Sequence, residues 1–96
     1  MLRVLHVLDH SLPMHSGYAF RTRAIMKAQL ADGIEVRGIT GLRHTATGPA
    51  LETIDGLRFH RTPGKVTGLP LLREWREIGA LAEAIGTLVG EWRPDV

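Results

Sequence analysis

The chain has 96 residues, no cysteine, and twelve basic against ten acidic side chains, for a net charge of +2. That length admits one small domain with a modest core, and a hydrophobic share of 44% argues against disorder. No apolar run nears the roughly 20 residues a membrane-spanning helix needs. The missing thiols exclude disulfides and thiolate metal sites. Scattered basic residues with few aromatics argue against a nucleic-acid partner.

The opening MLRVLHVLDH is a poor secretory signal, because its apolar stretch is short, broken by His6 and closed by Asp9. Val4–Leu8 instead reads as a strand buried on both faces, as in a parallel sheet. His6 within it reads as a core histidine with a hydrogen-bond partner. Asp9 to Gly17 is a loop in which Pro13 forbids a helix and Ser11, Ser16 and Gly17 supply turn chemistry. A helix follows from Gly17 to Asp32, with Ser16 as N-cap and Gly33 as its stop. Gly17, Phe20, Ala24, Ala28 and Ala31 share the face expected against the sheet; Ala19, Met26 and Leu30 form a second apolar stripe.

Ile34–Thr40 alternates apolar and polar residues as a second strand, completing a βαβ unit. Gly41 to Ala50 reads as a loop. Asp55-Gly56 then marks a hairpin between strands at Glu52–Ile54 and Leu57–Arg61. Thr62 to Pro70 is a Pro/Gly-rich connector. From Leu71 to Trp92 an amphipathic helix presents Trp75, Ile78, Ala82, Ile85, Val89 and Trp92 on one face, with Leu81 and Leu88 on its edge. Gly79, Gly86 and Gly90 make an adjoining stripe open to a close backbone approach. Pro94 stops the helix, and Asp95-Val96 is placed to open another strand.

The chemistry concentrates between Arg3 and Lys27, RVLHVLDHSLPMHSGYAFRTRAIMK. A strand, a loop and a helix start can hold an anion on free backbone N–H groups. Gly17 would let a phosphate approach, and Arg21 and Arg23 would add charge. The other reading has Gly17 relieving a tight turn and the arginines solvated. His10, His15 and Tyr18 are candidate acceptor contacts. His10, His15 and Asp9 match no zinc spacing, so no metal is expected. No Ser-His-Asp nucleophile follows from the spacing. His44 and His60 read as surface residues, Trp75 and Trp92 as core.

The text RVLHVLDHSLPMHSGYAFRTRAI, the IDGLRFHRTP hairpin and the EWRPDV ending together resemble the start of a family 4 glycosyltransferase, closest to the exosortase A-associated (PEP-CTERM) group. The resemblance implies a GT-B enzyme of two Rossmann-like domains that moves a sugar, with retention, from a nucleotide-sugar to a glycan or lipid-linked acceptor. It makes residues 1–96 part of an acceptor-side N-terminal domain, inactive by itself and lacking the C-terminal donor domain with its carboxylate pair. It assigns Ser16 and Gly17 to the donor phosphate and sugar loop; many relatives carry Gly-Gly there, whereas this chain keeps one position free of a side chain. It implies no cofactor or metal beyond the nucleotide-sugar substrate, and work in cell-envelope or exopolysaccharide synthesis. The expected location is cytoplasmic, at the inner face of the bacterial membrane. The alternative is a stand-alone, non-catalytic α/β binding module that covers its open sheet edges by pairing as a homodimer.

Overall fold

The computed structural model describes residues 2–42, 44, 48–63 and 70–96. Its elements are β1 (Arg3–Leu8), α1 (Gly17–Ala31), β2 (Glu35–Thr40), β3 (Leu51–Ile54), β4 (Leu57–Arg61) and α2 (Pro70–Trp92). The strands form one mixed sheet in the order β1-β2-β4-β3. β1 runs parallel to β2, with Arg3 opposite Glu35 and Leu8 opposite Thr40. β2 runs parallel to β4, and β3 returns antiparallel to β4. The outer edge of β1 is also paired: Leu5 N–H donates to Val96 O at 2.8 Å and Val96 N–H to Arg3 O at 3.2 Å. That reciprocal pair is a single parallel bridge, but Asp95-Val96 is not a strand of the sheet and Val96 is 74% exposed rather than buried.

Turn chemistry sets the joints. Gly33, with φ +81°, follows α1; its N–H reaches Leu30 O and the Ile34 N–H reaches Gln29 O, each at 3.1 Å. This Schellman pair satisfies the last carbonyls and turns the chain into β2. Asp55 (φ 54°) and Gly56 (φ 77°) both take positive φ, the two-residue hairpin turn that matches strand twist. The segment 43, 45–47 of the expected 41–50 loop and 64–69 of the expected connector lie outside the described residues.

Side-chain alternation gives the sheet two working faces. On the α1 side, Leu8, Leu12, Met26, Val36, Leu57 and Phe59 form one cluster. Phe59 sits directly over Gly38, where a Cβ would lie 2.9 Å from its ring and 3.2 Å from Leu8. On the other side Ile39 packs with Leu88 and Trp92 of α2, flanked by Leu5, Leu81, Ala84 and Ile85. The Trp92 indole N–H donates to Glu35 Oε1 at 2.8 Å, and Arg37 stacks over the ring at 4.7 Å.

α1 turns outward the face expected against the sheet and buries its second stripe through Ala19 and Met26. α2 keeps Ile85 and Trp92 of its expected face inward and turns out Trp75, Ile78, Ala82 and Val89. In α1 the buried residues are Ala19, Thr22 and Met26, while Gly17, Phe20, Ala24, Ala28 and Ala31 are exposed. Apolar residues surround this helix, and a row of small side chains offers little area to bury, so fully buried Met26 sets its rotation. In α2 the edge residue Leu88 is buried with Trp92, whereas Trp75 is 74% exposed and not core. β1 is not buried on both faces either: Val7 is 52% exposed and only Leu8 is buried. His6 has the partner expected of it, Gln29 Oε1 at 2.6 Å. Among the described residues no helix is long and apolar enough to cross a membrane.

Phe59→Ala is expected to lower unfolding free energy by about 3–5 kcal/mol, and Gly38→Ala by about 1–3 kcal/mol through displacement of Phe59. Trp75→Ala should change it by less than about 0.5 kcal/mol. Urea titration followed by circular dichroism checks all three.

Candidate functional site

The corner after β1 is built from both sides of the α1 face. Ser11 and Leu12 are buried although they belong to a loop, so their polar groups need partners. Arg61, at the end of β4, supplies two of them. Its Nη1 donates to Ser11 Oγ at 2.6 Å and Thr40 Oγ1 at 3.3 Å, and its Nη2 donates to Leu12 O at 2.6 Å. Nη2 and Nε also donate to Glu52 Oε1 of β3, at 2.9 and 3.2 Å. The side chains of Arg61 and Glu52 are only 11% and 18% exposed. Burial pushes the Arg61 pKa down while the Glu52 carboxylate opposes it, and the guanidinium stays charged. One planar fork therefore ties the β3–β4 hairpin, β2 and the loop together.

His44 completes the underside. The Ser11 N–H donates to its Nδ1 at 3.2 Å, so the imidazole is an acceptor there. It is not the surface residue the sequence suggests: burial first, then the Arg61 charge, pushes its pKa below the usual value. His60 also departs from the surface reading. It accepts from Arg37 Nη1 at 3.3 Å on the α2 face, and burial followed by Arg37 lowers its pKa.

The upper part of the corner carries the sequence candidates. Ser16 is the N-cap of α1, its Oγ accepting the Ala19 N–H at 3.0 Å. His10 lies between Asp9 and Ser16, with Nδ1 3.0 Å from Asp9 Oδ2 and Nε2 2.7 Å from Ser16 Oγ. The fold thus assembles an Asp–His–Ser order that the spacing did not suggest. The Ser16 hydroxyl serves both the helix cap and the imidazole, so the chain of bonds orients the cap. Tyr18 stacks on His10 at 4.9 Å between centroids and accepts the Asp9 N–H at 3.2 Å. His15 stands apart, exposed and 5.4 Å from the Phe20 ring.

Gly17 is the open point. It begins α1, its φ is not in the left-handed region, and a Cβ there would meet nothing within 4 Å. Neither a tight turn nor crowding requires glycine, so the turn-relief reading does not account for it. Arg21 is exposed with no ion-pair partner among the described residues. Arg23 does not join it: Arg23 pairs with Asp55, which Lys27 also meets at 3.0 Å. Lys27 and then Arg23 hold the Asp55 carboxyl below its usual pKa. On the other face of the sheet a cavity of about 330 Å³ lies at the carboxyl ends of β1 and β2, floored by Val7, Leu8, Leu42 and Leu81, with Asp9 and Glu77 on its rim. Among the described residues no group of three or more His, Cys, Asp or Glu side chains converges as a metal site would.

Sequence reasoning missed Arg61 and Glu52. The available signal was alternation: in Leu57–Arg61 the arginine shares the buried face of Leu57 and Phe59, where a charge needs a partner. No family model, curated protein or solved structure matches this chain.

Arg61→Met is expected to destabilise the fold by about 3–5 kcal/mol, because Glu52 and the Leu12 carbonyl lose their donor. Ser16→Ala should cost about 1 kcal/mol as a lost cap. Urea unfolding of the two variants checks the ordering.

Proposed function

We propose that this chain forms the acceptor-side part of a retaining glycosyltransferase. The reaction moves a sugar from a nucleotide-sugar to a glycan or lipid-linked acceptor in cell-envelope or exopolysaccharide synthesis, in the cytoplasm at the inner face of the bacterial membrane. The sheet is then the beginning of a Rossmann-like GT-B domain. The likeness of its opening and hairpin text to family 4 glycosyltransferases suggests the reaction. The observation that carries the reading is unobstructed Gly17 at the start of α1, beside the carboxyl ends of two parallel strands. In open α/β sheets ligands favour that edge, where connections leave for opposite faces.

The chemistry follows from the fields there. The first N–H groups of α1 carry roughly half a positive charge. A departing nucleoside diphosphate gains negative charge as the glycosidic bond breaks, so fixed donors bind it better than they bind the intact donor. Ser16 is committed to its cap, leaving the Gly17 backbone as the contact and Arg21 as the nearby mobile cation. Tyr18, whose O–H can still donate while its oxygen accepts the Asp9 N–H, would meet an acceptor hydroxyl. His10, with both ring nitrogens engaged by Asp9 and Ser16, would do so only by giving up one of them, and exposed His15 is a further contact. The reaction needs a second, nucleotide-holding domain across the cleft.

A second reading is a non-catalytic module that pairs with another copy. It is favoured by the exposure of Trp75 (74%) and Ile78 (63%) along α2, more apolar surface than a helix face in water usually shows.

Amide mapping of the ¹⁵N-labelled chain with UDP-glucose, GDP-mannose and pyrophosphate separates the readings. Shifts confined to residues 16–19, with affinity lost at least about tenfold in Gly17→Val, support the transferase reading. No shift at this corner at millimolar probe, with sedimentation showing a stable dimer, overturns it in favour of the module.

A further inference from the structure

The loop 9–16 rests on two nitrogen-bearing groups of unlike permanence. Arg61 keeps its charge at every accessible pH. His44 does not, and its bond to the loop exists in one protonation state only. The Ser11 N–H points at Nδ1 at 3.2 Å, so Nδ1 must carry a lone pair and the ring proton must sit on Nε2. Nε2 is itself buried, with no hydrogen-bond partner among the described residues.

We propose that His44 is a proton-operated latch, which holds the Ser11 end of the loop against the sheet when neutral and releases it when protonated. A second proton places an N–H against the Ser11 N–H, converting an attraction into a donor–donor clash. It also sets a cation near Arg61, which grips the Ser11 hydroxyl and Leu12 carbonyl from the other side. The groups facing His44 are Arg61 of β4, Glu52 of β3 and His10 of the loop. Two of these oppose a charge on His44, and Glu52, the one that favours it, is already bound by Arg61. With Nε2 buried and Nδ1 facing the Ser11 N–H, the clash is relieved when the ring and Ser11 separate.

The sign is fixed by linkage. The folded chain binds the His44 proton less readily than the unfolded chain, whose value is 6.5. Stability is therefore full above about 6.5 and is lost as pH falls from there towards the lowered folded value. His60 adds a loss in the same direction, but on the α2 face, away from the loop. The latch needs no assumption about what the loop binds.

Nuclear magnetic resonance of the ¹⁵N-labelled chain between pH 7.5 and 4.5 tests it. At pH 7.5 the ring shifts should show His44 neutral and protonated on Nε2. Below 6.5 the Ser11 and Leu12 amides should move with the His44 midpoint, and Ser11 protection, corrected for intrinsic exchange, should fall by about tenfold. Amides of α1 should hold. His44→Asn presents an acceptor in place of Nδ1 that cannot titrate, and should abolish the Ser11 transition; His10→Gln should keep it. A neutral His44 protonated on Nδ1, or Ser11 and Leu12 amides that ignore its titration, overturns the latch, and both are read on the unmodified chain. Persistence of the transition in a folded His44→Asn chain overturns it as well.

Discussion

The arrangement at the carboxyl end of the sheet depends on one buried guanidinium. A loop that dips into the core must satisfy its polar groups: His44 takes the Ser11 N–H, while Arg61 takes up the Ser11 hydroxyl and the Leu12 carbonyl. That burial is tolerable because Glu52, across the hairpin, neutralises the charge and fills the remaining donors. The Asp55-Gly56 turn therefore matters well beyond its own two residues. It sets the register that puts Glu52 opposite Phe59, one pair along from Arg61 on the same face. Without that register the loop would lose the Arg61 anchor that fixes the Ser11 hydroxyl and the Leu12 carbonyl.

Large side chains decide how the helices sit. Met26 packs into the cluster on one sheet face and Leu88 into that on the other. On the α1 side Gly38 makes room for the Phe59 ring. On the α2 side Trp92 closes the end of the sheet, its indole N–H and ring taken up by Glu35 and Arg37. Trp75, Ile78 and Val89 of α2 are left facing outward.

Charge is distributed with similar economy. Arg23 and Lys27 are both drawn to Asp55, which secures the hairpin against α1. The basic excess near the helix start is thereby reduced to Arg21. The first N–H groups of α1 give the Gly17 end of the helix a fixed partial positive charge, with exposed Arg21 one turn on.

Local chemistry determined much of this from the sequence. Ser16 as cap, Gly33 as stop, the hairpin at Asp55-Gly56 and the βαβ order all depend on neighbours a few residues apart, whose φ preferences and side-chain bonds do not need the rest of the molecule. The candidate corner was legible as a strand, loop and glycine-led helix for the same reason. What the tertiary structure alone decided was which faces are buried and which polar groups meet. The rotation of α1 follows from the burial of Met26 among residues of three strands. The roles of Arg61, Glu52 and His44 follow from residues from 8 to 50 positions distant in the chain converging beneath one loop. Such partnerships are set by packing and desolvation, which reward a buried charge only when its partner arrives from elsewhere in the fold, and no local pattern encodes that arrival.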